Sequence, residues 1–465
     1  MITFAGNLGL NRRSFLRVGA LGVAGFTLAD LLRAESAAGV GSSHKAVIHL
    51  HLDGGPPQMD LIDPKPDAPA EIRGPFAPIP TKLDGLQVTE LLPKVAGIAD
   101  RLVFLRSLVG AAGRHDAFQC QSGYDSKSLA SIGGRPAMGC IVEKTLGPGP
   151  NDSPAFVDLM QGRPLARNSA RPGFLGAPYK PFRPDISHLF KRELEQGMKG
   201  ELARLGENHR DSLALVEGLT PARLDMRLRI LERFDKVRAG LDNSGSMAAA
   251  DSFTQRAASI LTSGKVAEAL DLTREDPRVL ERFTPSEPVS GKRFGTAEGP
   301  LAARKLLIAR RLVEAGVRCV SVSLSDFDTH SDNFPRMRHL GPILDHALWA
   351  LVTDLEERGM LDDVTILAWG EFGRTPKVNS KGGRDHWPQA AMGIMAGGGM
   401  NVGQVIGSTD KTASTVISRP IHYREVLSTL YHNLGIDSSV STITDLSGRP
   451  RYLLDDAAPI RELVG

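Results

Sequence analysis

Residues 364–388 read VTILAWGEFGRTPKVNSKGGRDHWP, and the parsing of this stretch decides the fold. The apolar run Val364-Thr365-Ile366-Leu367-Ala368-Trp369 is too short for an ordinary helix and rich in β-formers, which predicts a buried strand. Gly370 ends it and Glu371 sits just beyond. A loop with Arg374, Lys377 and Gly382-Gly383 leads to Arg384-Asp385-His386. A carboxylate at the end of a buried strand, with Asp-His close behind, points to a site in an open α/β sheet, because such sheets bind ligands beyond the carboxyl ends of their strands. The plainer alternative pairs Glu371 with Arg374 and leaves His386 an ordinary loop histidine.

Working outward, the same pattern recurs. Residues 45–52 (KAVIHLHL) predict a strand ending at Asp53, followed by Gly54-Gly55, which lets the backbone turn and approach a ligand closely. Residues 317–324 predict another, ending in Asp326-Phe327-Asp328-Thr329-His330; Asp328 and His330, two apart, face one side of an extended segment. Residues 102–105 form a further short strand, ended by Arg106-Ser107. His115 follows, just before a helix over 117–124. Ser107 and His115 are the polar side chains here best placed to reach a site and, with Arg374, the candidate catalytic residues; a structural role is the alternative for Ser107 and for His115. Helices are expected over 86–100, 301–315, around Leu344, Leu348, Leu351 and Leu355, and over 423–434, with strands over 155–160 and 391–396.

Strand–helix alternation predicts an α/β fold with a mostly parallel sheet whose strand ends share one edge. Asp53, Asp328, His330, Glu371 and His386 then converge, with Asp385 a further ligand or a partner behind one. Clustered carboxylates repel and are costly to desolvate, so a divalent cation is the expected counterweight. Asp, Glu and His without thiolate suit zinc, manganese, iron, magnesium or calcium alike. Two such ions, roughly 3.5–4 Å apart, would clamp an in-line displacement at phosphorus or a similar centre. Arg374 or Arg384 is placed to hold an anionic group.

The 465 residues allow one large or two to three ordinary domains. Net charge is +3 and aromatic content 5%, with cations dispersed, which argues against a nucleic-acid surface. Asn11-Arg12-Arg13-Ser14-Phe15-Leu16 is a twin-arginine pattern before a weakly apolar run too short to span a bilayer, so residues 1–40 are expected to be a twin-arginine signal peptide. Cys120, Cys140 and Cys319 fit no zinc spacing and read as buried or incidental, with a Cys120–Cys140 pairing open but not demanded by the spacing. Residues 161–185, dense in Pro, Gly and Arg, predict a long loop. A charged helical insertion is expected at about 186–299, with an apolar face at Leu224, Leu228 and Leu231.

The segment 344–373 resembles the helix–strand unit of the alkaline phosphatase/sulfatase superfamily, in which the strand ends in Asp-His-Gly. More closely, HLDGGPPQMDLIDPKPDAP, DFDTHSDNF, WGEFGRTP and GRDHWP together resemble the exported DUF1501 family over essentially the whole chain. The resemblance implies a three-layer sandwich around a mostly parallel sheet. It implies an exported, periplasmic or extracellular metal-dependent hydrolase (zinc, calcium, magnesium or manganese) of phosphate or sulfate esters. The substrate would be a small-molecule or polymer-borne anionic ester. The twin-arginine export machinery would be a partner; nucleic acid and, for the mature form, membrane would not. Two departures stand out. Glu371-Phe372-Gly373 replaces Asp-His-Gly, and the sulfatase nucleophile pattern Cys/Ser-x-Pro-x-Arg is absent. The alternative is a non-catalytic exported binding or scaffold protein with a degenerate metal site.

Overall fold

The computed structural model describes residues 45–125, 127, 133–150, 153–160, 170–184, 186, 189, 264–285, 298–299 and 301–464. The expected signal peptide lies outside them, as do residues 191–263 of the expected insertion, including Leu224, Leu228 and Leu231. Of residues 186–299, the described part carries short helices at Lys265–Leu270 and Pro277–Arg282.

Eight strands build the central sheet: β1 (Ala46–Leu52), β2 (Leu102–Val109), β3 (Phe156–Asp158), β4 (Cys319–Leu324), β5 (Val364–Trp369), β6 (Ala391–Gly397), β7 (Gln404–Ile406) and β8 (Ile421–His422). Their order is β7-β2-β6-β5-β1-β4-β3, and β8 also pairs with β2. β1 runs parallel to β4 and β5, β3 to β4, and β7 and β8 to β2. Only β6 is antiparallel to its neighbours within this sheet. Parallel neighbours need a crossover, usually a helix; β5 and β6 are joined by the loop 370–390, which contains none, so β6 returns antiparallel.

Every residue of β1 and β5 is buried, as strands covered on both faces must be. Alternation divides their side chains between two cores. Ile48, Leu50 and Leu52 join Leu306 and Leu307 of α3 (Arg304–Glu314) and Leu344, Leu348, Leu351 and Leu355 of α4 (Asn333–Glu357). Val47 and Trp369 face Phe118 of α1 (Ala117–Ser122), Ile141 of α2 (Met138–Leu146) and Leu427 of α5 (Tyr423–Asn433). The expected single helix over 86–100 is instead a strand at Gln87–Thr89 and a short helix at Pro93–Gly97. Pro93 is the reason: without an N–H it is tolerated in a helix's first turn and breaks one anywhere deeper. All three cysteines are free and buried. Burial pushes the Cys319 thiol up to about 12.

Candidate metal centre

The register of β1 with its neighbours sets the site. His51 lies opposite Trp369 and Leu52 opposite Leu324, so Asp53, Glu371 and the segment after Leu324 leave the sheet together. The Asp53 N–H donates to Leu324 O (2.8 Å) and Asp53 O accepts from the Phe327 N–H (3.0 Å). The Gly54 N–H donates to Glu371 Oε1 at 3.0 Å. At Gly54 φ is +105°, and a Cβ there would stand 2.4 Å from the Asp328 nitrogen, so a side chain is excluded by conformation and by space.

Among the described residues, two groups of metal-type side chains result. The inner one is His51, Asp53 and Glu371, whose ligand atoms all lie within 4.8 Å of one another. His51 Nε2 is 3.4 Å from Glu371 Oε2 and 3.8 Å from Asp53 Oδ1. All three residues are buried, and both His51 nitrogens and Glu371 Oε2 make no hydrogen bond among the described residues. Burial pulls His51 below the usual histidine range despite the nearby Glu371. The group is therefore a neutral imidazole and two acids enclosed by protein, which leaves negative charge for a cation to offset.

The outer group is His115, Asp328, His330 and His386. His386 Nδ1 lies 3.1 Å from Gly113 O, and His330 Nδ1 2.6 Å from Asp385 Oδ1. A carbonyl and a carboxylate only accept, so both Nδ1 atoms donate and fix the tautomers. Each Nε2 is thereby turned toward Asp328. The two stand 3.1 Å apart and 3.1 and 3.5 Å from Asp328 Oδ1. Two ring nitrogens and a carboxylate oxygen this close together require a proton or a metal cation between them. Imidazoles oriented from behind by a carboxylate and a carbonyl are the usual backing of a metal site.

His115 joins the groups: Nδ1 lies 3.0 Å from Glu371 Oε1 and Nε2 3.2 Å from Asp328 Oδ2. Burial alone would lower this histidine; hydrogen bonds with Asp328 and Glu371 outweigh it and push it to about 9. A single positive charge thus bridges the two acids when no metal is bound. Against the burial that disfavours ionisation, His115, His386 and Arg374 hold the Asp328 carboxyl well below the ordinary range. The two groups differ in access. His330 is 48% and His115 35% exposed in the side chain, whereas His51 and Glu371 are closed off.

Asp53, Asp328, His330, Glu371, Asp385 and His386 thus lie around one strand-end edge, with Asp385 behind His330. Others expected at the site are placed differently. Ser107 is fully buried and donates to Arg419 O at 2.6 Å, in the direction of β7 and β8 rather than of the histidines. Arg374 is fully buried; its Nε donates to Gly55 O (3.0 Å), one terminal nitrogen to Arg384 O (2.8 Å), and the other to Gly54 O and to Asp328 Oδ1 (2.6 Å). Arg384 is also buried, forked onto Asp60 at 2.8 and 2.9 Å with the remaining nitrogen on backbone carbonyls. Neither guanidinium is left to hold an anion. His51 was not foreseen as a site residue, although its spacing of two from Asp53 in a strand is the signal that places both on one side. Phe372 lays its ring 4.2 Å from His386 and 5.4 Å from His115 as an apolar wall.

The family described as "Protein of unknown function (DUF1501)" matches residues 44–464. No curated protein matches. Among solved structures, the chain is similar to the PsFucS1 sulfatase from Pseudoalteromonas sp. (12% identity, 89% of this chain and 72% of that one, TM-score 0.37). It is also similar to the phosphonate monoester hydrolase of Agrobacterium radiobacter (13%, 84% and 74%, 0.30) and the lipoteichoic acid synthase LtaP from Listeria monocytogenes (10%, 84% and 72%, 0.29).

Proposed function

We propose a metal-dependent ester hydrolase function, on phosphate or sulfate esters, for this chain, which belongs to the DUF1501 family. The observation that carries the reading is the pair of adjoining ligand groups at one strand-end edge, one closed and one open to solvent. Closed sites suit structural ions and open ones leave a coordination position for water or substrate. Asp53 and Glu371 would hold a cation inside, and Asp328, His330 and His386 one outside. Bound there, a divalent metal would supply Lewis acidity and lower the pKa of water. The protein's own part is orientation. Asp385 and Gly113 O turn the Nε2 atoms of His330 and His386 toward Asp328, and Arg374 fixes Asp328. His115, reaching solvent with its ring between Glu371 and Asp328, is the group placed to hold or return a proton at a leaving oxygen.

The test is turnover of aryl phosphate, phosphonate and sulfate esters by chain reconstituted with zinc, manganese, magnesium or calcium. Turnover lost on chelation and in Asp328→Asn supports the reading, and none with any metal refutes it. A second reading, a non-catalytic binding or scaffold protein with a degenerate site, is favoured by one observation: Ser107, Arg374 and Arg384 are all committed to internal contacts. Metal binding without turnover selects it. Export by the twin-arginine route to the periplasm or beyond is part of the proposal, carried by Asn11-Arg12-Arg13-Ser14-Phe15-Leu16. Arg12→Lys with Arg13→Lys should hold the chain in the cytoplasm, and unaltered export would refute it.

A further inference from the structure

Glu371 is followed by Phe372, which carries no donor atom, so that turn brings the inner group a carboxylate and not an imidazole. We infer that His51, from the neighbouring strand β1, supplies that imidazole, and that His51, Asp53 and Glu371 form a closed cation site separate from the exchangeable outer one. The inference rests on the proposed function for the presence of metal, not for the reaction.

Three observations carry it. His51 is wholly enclosed, and neither ring nitrogen makes a hydrogen bond among the described residues; nor does the buried Glu371 Oε2 that lies 3.4 Å from its Nε2. A packing histidine would normally satisfy at least one nitrogen, as its neighbour does: His49 Nε2 accepts from Trp369 Nε1 at 2.8 Å. Second, the other oxygen of Glu371 is already taken by the Gly54 N–H and His115, which leaves Oε2 directed at His51. Third, Asp53 follows His51 by two positions at the strand end, and the backbone there is pinned by β4 on one side and by Gly54 against Asp328 on the other. The donors are therefore held in place by the sheet itself, the arrangement that makes a metal site tight and slow to exchange.

The experiment is metal stoichiometry on the full chain after loading with zinc or cobalt and passage through a desalting column with and without EDTA. Wild type should retain about one equivalent per chain in EDTA and about one more without it. His51→Gln should lose the EDTA-resistant equivalent and keep the labile one, and His330→Gln should do the reverse. X-ray absorption on EDTA-treated wild type needs no variant and stands if His51→Gln does not fold; it should show a single imidazole among oxygen donors. No resistant metal in wild type, an unaltered resistant equivalent in folded His51→Gln, or a resistant ion with no imidazole would overturn the inference. None of these readouts depends on turnover, so failure of the hydrolase reading and failure of this site are told apart.

Discussion

Replacing Arg374 separates a clamp from an anion-binding arginine. The side chain is fully buried and uses every guanidinium nitrogen: Nε on Gly55 O at 3.0 Å, one terminal nitrogen on Arg384 O at 2.8 Å, the other on Gly54 O and on Asp328 Oδ1 at 2.6 Å. Arg374→Met removes all of these together and leaves three carbonyls and a carboxylate short of a donor. Breaking a buried charge pair by deleting one partner costs about 3–5 kcal/mol, and orphaned acceptors each add up to roughly 1–3 kcal/mol, not additively. We therefore expect a loss of about 3–5 kcal/mol in urea unfolding of the chelated protein. Arg374→Lys should lose less, because an ammonium still neutralises Asp328 while the planar fork that spans the carbonyls is gone. Added metal should restore part of the loss, since a cation on Asp328 replaces the missing positive charge. A change under about 1 kcal/mol, together with a raised KM for an anionic ester, would refute the clamp and return Arg374 to substrate binding.

Ser107→Ala should leave ester turnover within about twofold and lower stability by about 1 kcal/mol, the worth of the bond to Arg419 O; a large fall in kcat would make Ser107 a catalytic group after all. Asp385→Asn removes the carboxylate behind His330 and should weaken the labile metal by about 10–100-fold in a chelator competition, with the EDTA-resistant ion unaffected. Burial raises Asp345 to about 7, against N–H donation from Val95 and Lys94 and the Lys94 charge. Its folded form then holds a proton that the unfolded chain releases near pH 4, so this group's contribution to stability falls as pH rises from about 4 to 7 and is level above. Asp345→Asn should remove that slope, measured as urea unfolding across the same range, and an unchanged slope would assign it elsewhere.

Much of this was legible in the sequence for a physical reason. Strands buried on both faces read as short apolar runs, so VTILAW and AVIHLHL stood out, and each had an acid and a glycine turn within the next few residues. The parallel alignment of those runs follows from the helices between them, and it is what turns three distant acids into one edge. Less legible were features that depend on what a side chain meets. Arg374 and Arg384 look alike in sequence to arginines that grip a phosphate. Only the depth of the loop 370–390, which seats one on Asp328 and the other on Asp60, shows that both are consumed internally.

His51 is the case in which the same alternation rule was available and pointed the other way. A histidine inside AVIHLHL is first read as filling a buried strand, and His49, two residues earlier, does that with Trp369 as its donor. Both histidines face the same side of β1, so periodicity cannot separate them. What separates them is the end of the strand: β5 stops at Trp369, opposite His51, and from there Glu371 folds back over the sheet edge. His49 therefore meets an indole and His51 meets a carboxylate. The function of a residue two positions from a strand's end is thus decided by where the neighbouring strand stops, a fact of pairing between segments more than 300 residues apart that no local window contains.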